Sequence, residues 1–194
     1  ILASRRGDLW IGTDEGLARF DGARFTVHDR SNAPALGSNL VYSLSEDASG
    51  GIWIGSLDAG LYRMQGGRVT APSLPAALPS PQIRALVDDR RGTLWIGTRQ
   101  GLVRLAGSSM TTFGPADGLP DPDVRGLALL ADGRLWIGTG RGAAVMEGGR
   151  MRPGPAGLAG VIVTSILLDT DRGDTWFATE GKGVARLSRA GRLT

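Results

Sequence analysis

A chain of 194 residues with 41% hydrophobic and 21% charged residues has the composition of an ordinary globular protein, long enough to bury a sizeable core. Cysteine is absent, which excludes disulfides, thiol catalysis and cysteine-based zinc sites, and no run approaches the ~18 apolar residues of a membrane helix. The net charge of +3 gives a pI near 10.1 because only Lys182 among the 22 basic residues is a lysine, so little titrates above neutrality; the arginines are dispersed along the chain, not gathered into a nucleic-acid footprint.

Along the chain, strands are expected in five groups of four. The first group reads as 1–4, a strand around Trp10, 17–21 and 24–28, and the second as 40–46, a strand around Trp53, 61–65 and 68–71. The third is the clearest. Gln82 to Asp88 alternates polar and apolar residues as a half-buried strand does, and Asp89-Arg90-Arg91-Gly92 is a turn in which Asp can bond its own backbone. Thr93 to Thr98 is rich in β-formers, 102–105 and 109–113 follow as third and fourth strands, and Pro115, Pro120 and Pro122 carry the chain onward. The fourth group reads as 124–130, a strand around Trp136, 143–147 and 150–152, and the fifth as 162–169, a strand around Trp176, 184–188 and 192–194. Helical periodicity is nowhere sustained.

The five tryptophans Trp10, Trp53, Trp95, Trp136 and Trp176 are the only ones in the chain, and each sits in one phrase, as in Leu94-Trp95-Ile96-Gly97-Thr98. Their spacing of about 40 residues is that of a four-stranded propeller blade. The expected fold is therefore an all-β propeller of four-stranded antiparallel blades. Five blades are visible, at about 1–28, 40–71, 83–113, 124–152 and 162–194, in a single domain over 1–194. The tryptophans are expected to be largely buried between blades, each indole N–H reaching a carbonyl at the blade edge. Gly12, Gly55, Gly97 and Gly138, two residues after the tryptophans, permit close packing; Ala178 is the nearest substitute in the fifth copy. No strand is left over for exchange between first and last blades, so the expected closed five-bladed ring rests on side-chain packing alone; the alternative is that exposed blade faces pair with another copy or with further blades.

In these repeats, most clearly Val41-Tyr42-Ser43-Leu44, Asp47 to Gly51, Ile52 to Ser56 and Gly60-Leu61-Tyr62, the chain resembles the two-component regulator propeller family, and Gly118-Leu119-Pro120 fits as well. The resemblance implies a sensor role: the extracytoplasmic, periplasmic input region of a membrane-anchored bacterial signalling protein, whose kinase or diguanylate cyclase output modules lie elsewhere in the same full-length chain. It also implies more blades than five, and Ile1 begins inside a repeat, as an excised piece would. The fifth repeat, through Asp171 to Glu180, is similar to blades of the streptogramin B lyase group and to the Asp-box turn of sialidases.

Catalytic chemistry finds little support. His28 is the only histidine, expected at the outer rim of its blade, so a Ser-His-Asp relay or a histidine metal site is hard to assemble. Asp8, Asp47, Asp88, Asp89, Asp132, Asp169 and Asp171 lie in or beside turns that they are expected to close, and no Asp-x-Asp-x-Asp-Gly calcium loop is present. No cofactor and no metal are expected. Binding is the better reading. At a matched position near the start of successive first strands stand Tyr42, Arg84, Arg125 and Thr164, a set expected at the channel mouth, with guanidinium groups suited to carboxylates or sugar hydroxyls. Asp58, Arg99, Arg141 and Lys182 lie in the variable turns between second and third strands, a second candidate surface. The expected function is a non-catalytic sensor for a small molecule or oligosaccharide, with no nucleic-acid partner and no membrane insertion by this segment; a protein–protein scaffold and a lyase or glycosidase are the alternatives.

Overall fold

The computed structural model describes residues 1–194. The first sheet contains β1 (Leu2–Ala3), β2 (Leu9–Thr13), β3 (Gly16–Phe20) and β4 (Phe25–His28), and the second β5 (Val41–Glu46), β6 (Ile52–Ser56), β7 (Leu61–Gln65) and β8 (Arg68–Thr70). The third is made by β9 (Ile83–Asp88), β10 (Thr93–Thr98), β11 (Gly101–Ala106) and β12 (Ser109–Phe113). The fourth takes β13 (Val124–Leu129), β14 (Leu135–Thr139), β15 (Gly142–Glu147) and β16 (Arg150–Pro153). The fifth is built on β17 (Val163–Asp169), β18 (Asp174–Thr179) and β19 (Gly183–Leu187). Spatial order follows chain order in every sheet, which is the meander of a β-propeller blade, and the protein is all-β. In the fifth blade the fourth strand expected over 192–194 shrinks to one bridge, Leu187 to Leu193, flanked by reciprocal bonds between Arg186 and Thr194 at 2.8 and 2.9 Å.

Residues 1–96 with 103–111 form one compact body and 97–102 with 112–194 another. Within each, the two faces of a blade do different work. In the first body, Ile52, Ile54, Tyr62 and Met64 of the second blade face back onto Trp10 and Leu17 of the first, while Leu61 and Trp53 face forward onto Ile83 and Leu94 of the third. In the second body Trp136 and Ala143 meet Val163 and Phe177, the two rings edge to face with centroids 5.3 Å apart. The phrase Leu-Trp-Ile-Gly alternates because a strand does: its aliphatic residues serve one neighbour and its Trp and Gly the other.

The glycine is a steric necessity. A Cβ on Gly12 would lie 2.6 Å from the Val41 carbonyl oxygen, and one on Gly138 would lie 2.7 Å from Val163 Cγ1. The fifth blade carries Ala178 at this position. Leu17, Leu61, Leu102 and Ala143 are buried at the first side chain of the third strand, whereas Val184, at that position, is 62% exposed, and Leu167 on the same face is 67% exposed.

Trp10, Trp95 and Trp136 are buried as expected, but Trp53 and Trp176 are only half-buried, and Trp53 Nε1 donates to a carboxylate, Asp88 Oδ2 at 3.1 Å, instead of a carbonyl. All but Trp136 are covered by an arginine from the neighbouring third strand: Arg19 lies 5.7 Å from the Trp10 ring centroid, Arg63 5.4 Å from Trp53, Arg104 6.0 Å from Trp95 and Arg186 5.9 Å from Trp176. Register produces the pairs, since Trp10, Trp53 and Trp176 stand opposite Arg19, Arg63 and Arg186; Trp136 stands opposite Val145. Turn aspartates hold these guanidiniums, with Asp8 to Arg19 at 3.0 Å, Asp47 to Arg63 at 2.6 Å and Asp174 to Arg186 at 3.3 Å. Asp47 also closes its turn as expected, its Oδ1 accepting from the N–H groups of Ser49 and Gly51 at 2.8 and 2.9 Å.

Two outcomes are expected. Gly138→Ala should destabilise the protein by about 1–3 kcal/mol through overpacking against Val163, while Ala178→Gly should cost less than about 1 kcal/mol, both read from denaturant unfolding. Burial alone would raise the Asp47 carboxyl, but hydrogen bonds from Ser49, Arg63 and Gly51 outweigh it and hold the group below its ordinary value. A lowered carboxylate stabilises the fold above the unfolded value of about 3.9 and loses that contribution as pH falls through the folded value, so Asp47→Asn should flatten the acid limb of the melting-temperature profile below about pH 4.

Candidate ligand-binding site

The ladders between first and second strands slip at one repeated place. Val41 pairs with Ser56 and Ser43 with Gly55; Val124 pairs with Thr139 and Gly126 with Gly138; Val163 pairs with Thr179 and Ser165 with Ala178. One extra residue enters each first strand: Tyr42, Arg125 and Thr164. These are the residues singled out by matched position, and a β-bulge re-aims the side chain of such a residue out of the regular pleat. Arg84 holds the matching place in β9 and is half-buried.

The second candidate set is brought to the same end of each blade. The turn after the second strand is tied to the residue two before the bulged one: Leu57 N–H donates to Leu40 O at 3.1 Å, Gly140 to Asp123 O at 3.0 Å and Glu180 to Ile162 O at 3.0 Å. Asp58 thereby lies on the blade end that carries Tyr42, Arg141 on that of Arg125, and Lys182 on that of Thr164. Arg99 occupies the equivalent turn of the third blade; all four turn residues are exposed. Each turn is stapled by the last residue of the Trp phrase. Thr98 Oγ1 donates to Gly101 O at 2.9 Å, Thr139 to Gly142 O at 2.8 Å and Thr179 to Gly183 O at 2.7 Å. Gly142, at φ 142°, occupies backbone space that favours glycine and so lets β15 start directly after the turn.

Loops leading into the first strands are more structured than a variable surface requires. Leu36, Leu119 and Leu158 are buried, and Pro115–Asp117 and Ala156–Leu158 form short 3-10 turns. These leucines peg the loops to the core.

The electrostatics of the bulged positions differ. Tyr42 is 58% exposed and presents a phenol face. Arg125 is already matched: its Nε donates to Asp123 Oδ2 at 2.8 Å and its Nη1 to Glu180 Oε2 at 3.4 Å. Asp123 and Glu180 were not singled out by sequence, although Pro120-Asp121-Pro122-Asp123 places an acid two residues before the arginine, a visible signal. Thr164 Oγ1 donates to Ala178 O at 3.3 Å. A guanidinium flanked by two carboxylates has little net charge to offer an anion and suits a neutral ligand with hydroxyls that both donate and accept. His28 stacks on Trp10 at 6.4 Å, and burial together with the charge of Arg19 lowers its pKa from the ordinary value. No three His, Cys, Asp or Glu side chains gather into a metal-binding group, and no helix is long and apolar enough to cross a membrane.

Among solved structures the chain is similar to the extracellular domain assigned to the hybrid two component system BT4673 from B. thetaiotaomicron, with 23% identity over 100% of this chain and 26% of that chain and a TM-score of 0.83. A second, the extracellular domain assigned to the hybrid two component system BT3049 from the same organism, gives 20% identity over 96% of this chain and 27% of that one, with a TM-score of 0.82. Virginiamycin B lyase from Staphylococcus aureus gives 17% identity over 100% of this chain and 67% of that one, with a TM-score of 0.74. The chain spans about a quarter of the first two, and at these identities the likeness shows the propeller fold. No curated protein matches it in sequence. The model of the two component regulator propeller matches residues 35–58, 77–100 and 118–141, each stretch running from the loop leucine through the first strand and the Trp phrase to the following turn. Those three stretches carry the two component regulator propeller repeat.

Proposed function

We propose that this chain is the extracytoplasmic sensor portion of a membrane-anchored bacterial signalling protein, and that it binds a neutral, polyhydroxylated small molecule or oligosaccharide without transforming it. The observation that carries the reading is the repeated bulge, which lifts Tyr42, Arg125 and Thr164 from otherwise regular strands at one end of their blades. A rigid sheet with one re-aimed residue per blade, next to an exposed variable turn, is an arrangement for recognition. Balanced charge around Arg125 favours hydroxyls over carboxylates, and the open phenol of Tyr42 offers a surface on which a sugar ring can sit. The extracellular sensor-system domains among the similar structures support the setting; output modules of the full-length protein would read the bound state.

Calorimetric titration with a panel of neutral oligosaccharides and of organic acids checks this. An oligosaccharide should bind and the acids should not. Tyr42→Ala or Arg125→Ala, whichever blade end holds the ligand, should weaken that binding by about 1–3 kcal/mol with a melting temperature close to the parent's. Equal binding by both variants would place the ligand elsewhere, and turnover of the bound sugar would favour the lyase or glycosidase reading.

A further inference from the structure

The turns that follow the first strands of the first two blades align residue for residue: Ser4-Arg5-Arg6-Gly7-Asp8 precedes Leu9-Trp10, and Asp47-Ala48-Ser49-Gly50-Gly51 precedes Ile52-Trp53. Arg5 reaches across to the second blade. Its backbone N–H and its Nε both donate to Glu46 Oε2, at 3.1 and 3.2 Å, and its Nη2 donates to the carbonyls of Asp47 and Ala48 at 2.6 and 3.0 Å. The Glu46 side chain is only 2% exposed, so Arg5 supplies the positive charge that a buried carboxylate requires, with Arg90 Nη2 a further 3.8 Å away.

One junction further on, the same frame lacks the arginine. Asp88 ends β9 as Glu46 ends β5, but the place of Arg5 is taken by Ala48. Asp88 accepts from Trp53 Nε1 at 3.1 Å and from the Arg90 backbone N–H at 2.7 Å, and both donors are neutral. The nearby Arg63 is engaged by Asp47, through Nε at 2.8 Å and Nη2 at 2.6 Å. Burial of Asp88 and the neighbouring charges of Asp47 and Asp89 all disfavour its ionised form. The cleft beside Trp53 and Asp88 has a volume of about 420 Å³, takes in Ala48 and is walled by Leu74, Leu94 and Leu105. That volume lies in the range of small-molecule sites.

We propose that this second cleft binds the cationic head of a small molecule, an alkyl guanidinium or alkyl ammonium, in the place that Arg5 fills one junction earlier. The head pairs with Asp88, and the alkyl arm lies along Trp53 and the leucines. The site is independent of the bulged positions and does not rest on the sensor reading.

Titration of the intact protein with n-butylguanidinium, n-butylammonium and the neutral isostere n-butylurea tests it. The cations should bind, and butylurea should bind at least about tenfold more weakly. Ala48→Arg should reproduce the Arg5 arrangement, block the cleft and abolish cation binding, with a melting temperature at or above the parent's. Asp88→Asn, which keeps an acceptor for Trp53 but no charge, should weaken the cations to the level of butylurea. The proposal is overturned if neither cation binds the parent at millimolar concentration, if butylurea binds as well as the cations, or if folded Ala48→Arg binds them as the parent does.

Discussion

One contact governs this molecule: the wedge of a β-branched residue from one blade into the glycine of the blade before it. Val41 fits against Gly12, Ile83 against Gly55 and Val163 against Gly138, at distances that leave no room for a methyl group. The wedge fixes how closely successive sheets approach and therefore how deeply the tryptophans and leucines around it are buried. It also fixes what comes next in sequence. Val41 and Val163 immediately precede the bulged Tyr42 and Thr164, so the most tightly held residue of the first strand adjoins the one released from the ladder. The closest contact and the break in the ladder are thus separated by a single peptide bond, and the bulged residue rests on a backbone that has little freedom to yield.

Around that contact the charges are used sparingly and in one pattern. A tryptophan, an arginine across the ladder and an aspartate from the preceding turn form a stack in the first, second and fifth blades. The arginine cannot deprotonate and lies flat, so it can cover an aromatic face and accept a carboxylate at its edge together, which lysine cannot do equally well. The fourth blade, with Val145 in place of the arginine, shows that an aliphatic cover can substitute where the tryptophan is already enclosed by Phe177.

Much of this was legible in the sequence. The tryptophan period and the polar–apolar alternation placed the blades and nearly every strand to within a residue, because those signals report burial on a pleated sheet. Matched position singled out Tyr42, Arg125 and Thr164, but not the irregularity of their backbone: a bulge inserts one residue without changing composition, so the alternation reads through it. Pairing across the ladder escaped as well, since Arg63 and Asp47 are far apart in sequence and each alone looks solvated. The fifth blade shows a different limit. Val184 and Leu167 are the residue types that are buried elsewhere, and only the structure reveals that their face is open.

The meander itself has a kinetic consequence. Each sheet joins only strands that follow one another, through short turns, so the loops that must close during folding are small and their entropy cost is low. Long-range ordering is deferred to the wedge contacts, which join one ready-made sheet to the next. All-β proteins with distant strand partners fold slowly because those partners must find each other first; here hairpins can form locally and then condense in sequence. Amide protection would accordingly be lost blade by blade, in cooperative units the size of the repeat, and the chain would behave over time as its sequence reads in space.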